Sequence, residues 1–440
     1  MDLLHIYEWI DIKTILLFSL VFLLLLRDLH HIDHKKIRLQ LLQKKYGNIL
    51  SIRILGPRIV VLIGYKTVKE AYLEEGDNLA DRHKLPIFYD IFGDKCLVAA
   101  NGYSWKHQRR FALSTLRNFG LGKKSLEPSI SLECRFLNEA ISNENGRPFN
   151  PQILLNNTVS NVICVLVFGN RFEYSDNDFQ TLLKKISDGV FFWGSIWAQV
   201  HIFSPELMLR LRPTSSTGRH SLVNAPPSNP RDYIDCFLAE MEKIRPFLGG
   251  TLDLFIGGTE TASVTLYWGL LYMMKYTKVQ EETDGVVGGS QQPSSSDRDN
   301  MPYTNAIHEI QRIGNIVSLN LIRSTVKETP IGKYFIPKGT VVIGSLTSVL
   351  FDEFEWETSH SFNLSHFLDA EGKFRKRDAF LPFSLVCPGE QLARMELFLF
   401  FSSLLQRFTF SLPARVEPSF DYLMGTTRCP LPYKLCAVPC

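Results

Sequence analysis

The chain has 440 residues, 45% of them hydrophobic and 21% charged, with a formal net charge of +3 and 31 phenylalanines, enough apolar side chain to bury a large core. So small a charge, with no lysine-arginine run, excludes nucleic acid as the expected partner. The eight cysteines, Cys96, Cys134, Cys164, Cys236, Cys387, Cys429, Cys436 and Cys440, are scattered with no C-x-x-C pair, which excludes the usual spacing of a zinc site.

The first element is apolar. Ile15 to Leu26 reads ILLFSLVFLLLL, and Ile6 to Thr14, diluted by Glu8, Asp11 and Lys13, extends it far enough to cross a bilayer. No small-residue cleavage site follows Leu26, so residues 1–27 are expected to be a retained membrane anchor rather than a signal peptide. Arg27, Lys35, Lys36 and Arg38 lie after it, and Asp2, Glu8 and Asp11 before or within it. The positive-inside rule therefore places 28–440 in the cytoplasm. A reducing compartment argues against a disulfide framework.

A helical stretch follows the anchor. Ile49 to Ile54 and Ile59 to Ile63, separated by Gly56-Pro57, predict a hairpin. Helical periodicity then dominates from Thr67 to about Leu405, with core helices over Leu154–Phe168 and Phe179–Trp197, and Tyr334–Ile343 predicts a short strand pair. Thr214–Pro230 and Gly285–Asn300 are rich in Ser, Pro, Gly and Asn without an apolar period and predict loops. The expected fold is mainly α with small β-sheets, a single large domain over 28–440.

Four local patterns bear on chemistry. Trp105-Lys-His-Gln-Arg109 sets a tryptophan and an arginine on one helical face, which alone is an ordinary amphipathic turn. Leu254–Leu266, LFIGGTETASVTL, has Gly257-Gly258 inside a helix, at about 1 kcal/mol per glycine relative to alanine. Either something approaches the backbone there, with Glu260 and Thr261 as an acid and a hydroxyl to relay protons, or the helix is kinked against a neighbour. Glu309-Ile-Gln-Arg312 places an acid and a base on one face, as many surface ion pairs do. Cys387 precedes the apolar helix Glu390–Leu405, where free N–H groups and the helix dipole stabilise a thiolate able to bind metal. A lone cysteine there also fits plain packing.

Taken in order, W-x-x-x-R, a glycine-interrupted helix with an acid-alcohol pair, E-x-x-R and a cysteine before a buried helix resemble the layout of the cytochrome P-450 superfamily of haem-thiolate monooxygenases. Leu381–Phe400 resembles its vertebrate family two. The likeness extends to Lys45–Asn48, Gly93–Lys95, Arg109–Lys124, Phe168–Phe172, Met301–Tyr303 and Phe362–Asp369. The nearest resemblance is to the subfamily (J-like) that oxidises long-chain polyunsaturated fatty acids, such as arachidonic acid, and many drugs.

That resemblance implies a cofactor, haem b, with Cys387 as axial ligand to its iron. Trp105, Arg109 and Arg323 match groups that bind the haem propionates, Glu260 and Thr261 the acid-alcohol pair beside the oxygen site, and Glu309 and Arg312, with His366, the buried pair beneath the haem. Ile87, Phe88, Phe92, Gly257, Val317 and Leu319 match positions that line the substrate cavity. The partners implied are O2, a lipophilic small molecule, an NADPH-dependent flavoprotein reductase docking on the cysteine side, cytochrome b5 and the endoplasmic reticulum membrane, with the catalytic domain facing the cytoplasm.

The sequence departs from the resemblance in several places. The usual loop is F-S-x-G-x-R-x-C, whereas Phe383-Ser-Leu-Val-Cys387 is three residues shorter and lacks its glycine and arginine. The proline-rich hinge after Arg27 is absent. Arg212–Asp232 is loop-like where a long helix is expected, Pro246-Phe-Leu-Gly-Gly250 replaces the first half of the glycine-interrupted helix, and another helix is cut to Thr277–Glu282. Two readings follow: a working monooxygenase, or a non-catalytic relative that does not hold haem productively.

Overall fold

The computed structural model describes residues 41–53, 58–83, 96–118, 120–194, 233–275, 282, 285–286, 288, 291–305, 307–384 and 387–440, with the backbone alone at 104, 191–194, 233–250, 303 and 305. Two compact units divide the chain, Met1–Leu50 and Ser51–Cys440. The described part of the first holds a helical turn over 41–46. The anchor at 1–27 and the loop-like Thr214–Pro230 lie outside the described residues. Among those described, no helix is long and apolar enough to cross a membrane.

The second unit is mainly helical. Its longer helices are α1 (Gly102–Asn118), α2 (Glu127–Ser142), α3 (Gln152–Phe168), α4 (Asn177–Gly194), α5 (Tyr233–Met273), α6 (His308–Gly314) and α7 (Glu390–Arg407). Helix α2 begins with Glu127 and Pro128, a carboxylate facing the positive helix end and a residue whose missing N–H costs nothing in the first turn. Helix α3 ends at Gly169, in the left-handed conformation at φ 76°, which a glycine adopts without side-chain strain.

Helices α2, α3, α5 and α7 form a closed bundle: α5 packs on α3 and α7, and α2 packs on the same two. Close approach is built from missing side chains. A Cβ on Gly258 of α5 would meet Ile163 Cδ1 at 2.5 Å, and one on Gly269 would meet Phe401 Cε2 at 2.2 Å. Phe398, Phe400, Phe401 and Leu404 on α7 and Tyr267, Trp268 and Leu271 on α5 are all buried.

Helix α5 corrects the sequence expectation. It runs continuously through Pro246 and Gly249-Gly250 for 41 residues, about 60 Å at 1.5 Å per residue, so its first half is present. Local composition underrated it because one proline and two glycines cannot outweigh the long apolar face that follows.

The sheets are short. Strands β1 (Ile49–Arg53), β2 (Arg58–Leu62), β3 (Asp81–Arg82), β4 (Arg323–Ser324), β5 (Thr329–Ile331), β6 (Tyr334–Ile336), β7 (Val341–Gly344), β8 (Phe408–Ser411), β9 (Tyr422–Met424), β10 (Arg428–Pro430) and β11 (Cys436–Pro439) pair as β1-β2-β7-β4-β3, β5-β6, β8-β11 and β9-β10. The apolar runs at 49–53 and 58–62 are neighbours, as the sequence predicts. The pair expected within Tyr334–Ile343 does not form: β6 pairs with β5, while β7 runs parallel to β2 and antiparallel to β4. Both strands were legible, but their partners lie elsewhere in the chain.

Candidate active site

An unusual pairing begins the site. Strands β3 and β4 run antiparallel with Arg82 directly opposite Arg323, and both are buried. Like charges placed opposite one another on a sheet repel. Nε and Nη1 of Arg82 and Nε of Arg323 are buried without a hydrogen-bond partner among the described residues, an arrangement that costs free energy unless an anion meets it. Burial first, and then Arg323 and Arg109, lower the pKa of Arg82 to about 9, against the opposing pull of Tyr72. Burial likewise lowers Arg323, with Arg109 adding to the effect and Tyr72 opposing it.

Helix α1 brings Arg109 to this group. Its guanidinium lies over the Trp105 ring, 5.5 Å from the centroid, and Cys387 draws its pKa upward while burial lowers it. The Trp105 indole N–H donates to the Leu97 carbonyl at 3.0 Å. Leu97 and Val98 in turn donate their backbone N–H groups to the Asp253 carboxylate of α5. Burial raises Asp253 to about 6 despite those two bonds.

Cys387 stands three residues before α7 and is exposed. Its pKa is raised, chiefly because the surrounding protein desolvates it, with Glu390 adding to the effect; the N–H groups of Gly389 and Glu390 and the charge of Arg109 oppose the rise. The N–H groups at the helix start act in the direction the sequence suggests, favouring the thiolate, while burial of the sulfur opposes them. The loop turns tightly. Cys387 N–H donates to Phe383 O at 3.2 Å, Ser384 N–H to Leu381 O at 3.1 Å, and Ser384 sits at φ 55°. Residues 385 and 386 lie outside the described residues.

On α5 the two glycines separate into two roles. Gly258 serves contact with α3, whereas Gly257 is exposed and a Cβ there would meet nothing within 4 Å. Thr261 donates its hydroxyl to Gly257 O at 2.6 Å. The Glu260 carboxylate accepts from Thr427 Oγ1 at 3.1 Å, and burial raises its pKa against that bond.

The E-x-x-R pair is a buried knot. Arg312 donates from Nε to Glu309 Oε2 and from Nη2 to Glu309 Oε1, both at 2.7 Å, and to the carbonyls of Leu350, Ser359 and Ser361. Glu309 also accepts Asn363 N–H at 2.9 Å and lies 3.1 Å from His366 Nδ1. Both members of the pair are fully buried.

The structure thus gathers Cys387, Arg109, Trp105 and Arg323 in one neighbourhood and Glu309, Arg312 and His366 in another. Val317 is half-buried and Leu319 exposed in the turn after α6; Ile87, Phe88 and Phe92 lie outside the described residues. Sequence reasoning missed Arg82, Asp253 and Thr427. Their roles come from partners far away in the chain, and no local period marks them.

The fit to a haem can be tested on these residues. A dianionic group would satisfy the orphaned N–H groups of Arg82 and Arg323 through charge-assisted bonds, and an iron would replace the proton that desolvation leaves on Cys387. The donor set fits.

Comparison with known proteins agrees. The family model described as cytochrome P450 matches residues 16–225 and 216–437. The chain is 42% identical to cytochrome P450 2J2 of Homo sapiens over 92% of this chain and 88% of that protein. It is 43% identical to cytochrome P450 2J5 of Mus musculus over 93% and 88%, and 39% identical to cytochrome P450 2H2 of Gallus gallus over 90% and 88%. A cysteine before a buried helix, an arginine cradle demanding anions and this breadth of similarity establish that the chain belongs to the cytochrome P450 family of haem-thiolate monooxygenases, among relatives of family 2 and its J subfamily.

Proposed function

We propose that this monooxygenase hydroxylates or epoxidises long-chain polyunsaturated fatty acids such as arachidonic acid, and lipophilic xenobiotics, using haem b. Electrons come from NADPH through a membrane-bound flavoprotein reductase, with cytochrome b5 as a second donor. Residues 1–27 anchor it in the endoplasmic reticulum membrane with the catalytic domain facing the cytoplasm. The resemblance to the J subfamily supports the substrate class, and the apolar run Ile15–Leu26 supports the anchor.

The observation that carries the reading is the cradle of Arg82, Arg323 and Arg109 beside Cys387. In it, Arg82, Arg323 and Arg109 would hold the propionates, Trp105 orients Arg109, and the Cys387 sulfur would bind the iron. When bound, haem supplies the activation of dioxygen and the oxygen insertion. The chain's own residues deliver protons and exclude water. Glu260, its pKa raised by burial, is the acid of the relay, and Thr261, bonded to Gly257 O, keeps its oxygen lone pairs available to accept a proton. The Glu309–Arg312–His366 knot fixes the core on which this site rests.

The short loop, without its glycine and arginine, favours a second reading, a relative that holds haem unproductively. The full chain, reduced with dithionite and exposed to carbon monoxide, decides between them. A strongly red-shifted Soret band lost in Cys387→Ala supports the monooxygenase; a band typical of histidine-ligated haem, or none, sinks it. Fatty-acid turnover with added reductase and NADPH then tests the substrate class.

A further inference from the structure

We infer that Arg394 is the positioning residue that holds the shortened cysteine loop in place, replacing by contacts from the following helix the control that the missing loop residues would give. The inference rests on the proposed role of Cys387 as ligand.

Arg394 lies at the start of the second turn of α7, about one turn after Glu390. Its Nε and Nη2 donate to Glu390 Oε1 at 3.0 and 2.8 Å, and Nη1 donates to His308 Nε2 at the start of α6. Pinned from both sides, the guanidinium lies over two rings of the incoming loop, 5.1 Å from the Phe383 centroid and 5.6 Å from that of Phe380. His308 packs on the other side of this cluster, against Phe380, Phe367 and Phe374. Phe383 is also the residue whose carbonyl receives the Cys387 N–H. One route therefore runs from the Arg394 plane, through the Phe383 ring and carbonyl, to the backbone of Cys387.

The loop needs such a hold. It lacks the glycine that would make its turn without strain, and Ser384 takes the left-handed conformation with a buried hydroxyl that has no partner among the described residues. A stack from a rigid helix supplies what the loop's own sequence does not. Arginine suits it better than lysine, because a planar guanidinium can bond Glu390 and His308 at its edge while presenting its face to the rings.

The test uses the full chain and three variants, Arg394→Ala, Arg394→Lys and Phe383→Leu. The last removes the stacked ring while leaving the Glu390 and His308 bonds intact, so a general loss of α7 is told apart from a loss of the clamp. In the chain as purified without added haem, alkylation by iodoacetamide is followed by peptide mass at Cys387 and, as an internal control, at the exposed Cys440. All three variants are expected to speed alkylation at Cys387 about fivefold, the scale of one such stacking contact, with Cys440 and the far-ultraviolet circular dichroism unchanged. After haem loading, the same variants shift the ferrous carbon monoxide band from the thiolate to the non-thiolate position, more in Arg394→Ala than in Arg394→Lys. Unchanged alkylation at Cys387 in Phe383→Leu overturns the inference. Should the parent chain give no thiolate band, the ligand reading fails, while the alkylation rates still decide whether Arg394 holds the loop.

Discussion

Glu309 and Arg312 share the most completely enclosed charge pair described here, with every donor of the fork assigned to a carboxylate or a carbonyl. Removing one member leaves the other buried and uncompensated, which costs about 3–5 kcal/mol. Glu309→Ala is therefore expected to lower the unfolding free energy of the second unit by that much, measured by urea denaturation. Asp253 gives a different signature. Its folded pKa of about 6 lies above its ordinary 3.8, so its contribution to stability is fully present below pH 3.8 and lost as the pH rises through 6. Asp253→Asn keeps an acceptor for Leu97 and Val98 and removes that slope. Stability measured from pH 4 to pH 7 should fall less steeply in the variant than in the parent. Glu309 and Arg312 were legible as a spacing; Asp253 was not, because its partners are backbone groups that no sequence pattern announces.

At the scale of elements, α5 carries two adjacent glycines with opposite needs. Gly258 faces Ile163 at a distance a Cβ cannot share, while Gly257 faces open space. Gly258→Ala should cost about 1–3 kcal/mol through overpacking, relieved in part by Ile163→Val, which removes Cδ1 and keeps the γ carbon. Gly257→Ala should instead stabilise the haem-free chain by about 1 kcal/mol, the ordinary gain in helix propensity; thermal melts of the three variants check both signs. The sequence posed these glycines as either a packing contact or an approach to the backbone. The packing explanation holds for Gly258, while Gly257 faces open space, and only the facing helix tells the two apart. The helices α3 and α4 were readable from periodicity, because an amphipathic or buried face repeats within the element. The partner of β7 was not, since pairing is a property of two distant segments.

For the whole second unit, the proposed role of the arginine cradle sets stability against haem capture. Without an anion, Arg82 is a desolvated charge opposite another. Arg82→Met is expected to raise the stability of the haem-free chain by about 1–3 kcal/mol, the gain from removing unsatisfied buried donors. The same change should weaken haem retention, seen as faster transfer of haem to apomyoglobin. The mainly helical fold, the anchor expectation and the cysteine ligand candidate all came from local composition or a single spacing. The cradle did not, because Arg82 and Arg323 become neighbours only when β3 meets β4.

That meeting also sets a clock. Strand β2 needs β7, and β3 needs β4, so a segment near the start of the second unit waits for residues made much later. During synthesis the helices can form as they emerge, but the sheet that brings Arg82 to Arg323 cannot close until Gly344 has left the ribosome, and Cys387 comes later still. Long-range closure of this kind is slow. A nascent chain that has not yet released β4 and Cys387 therefore has neither the paired arginines nor the thiol in place.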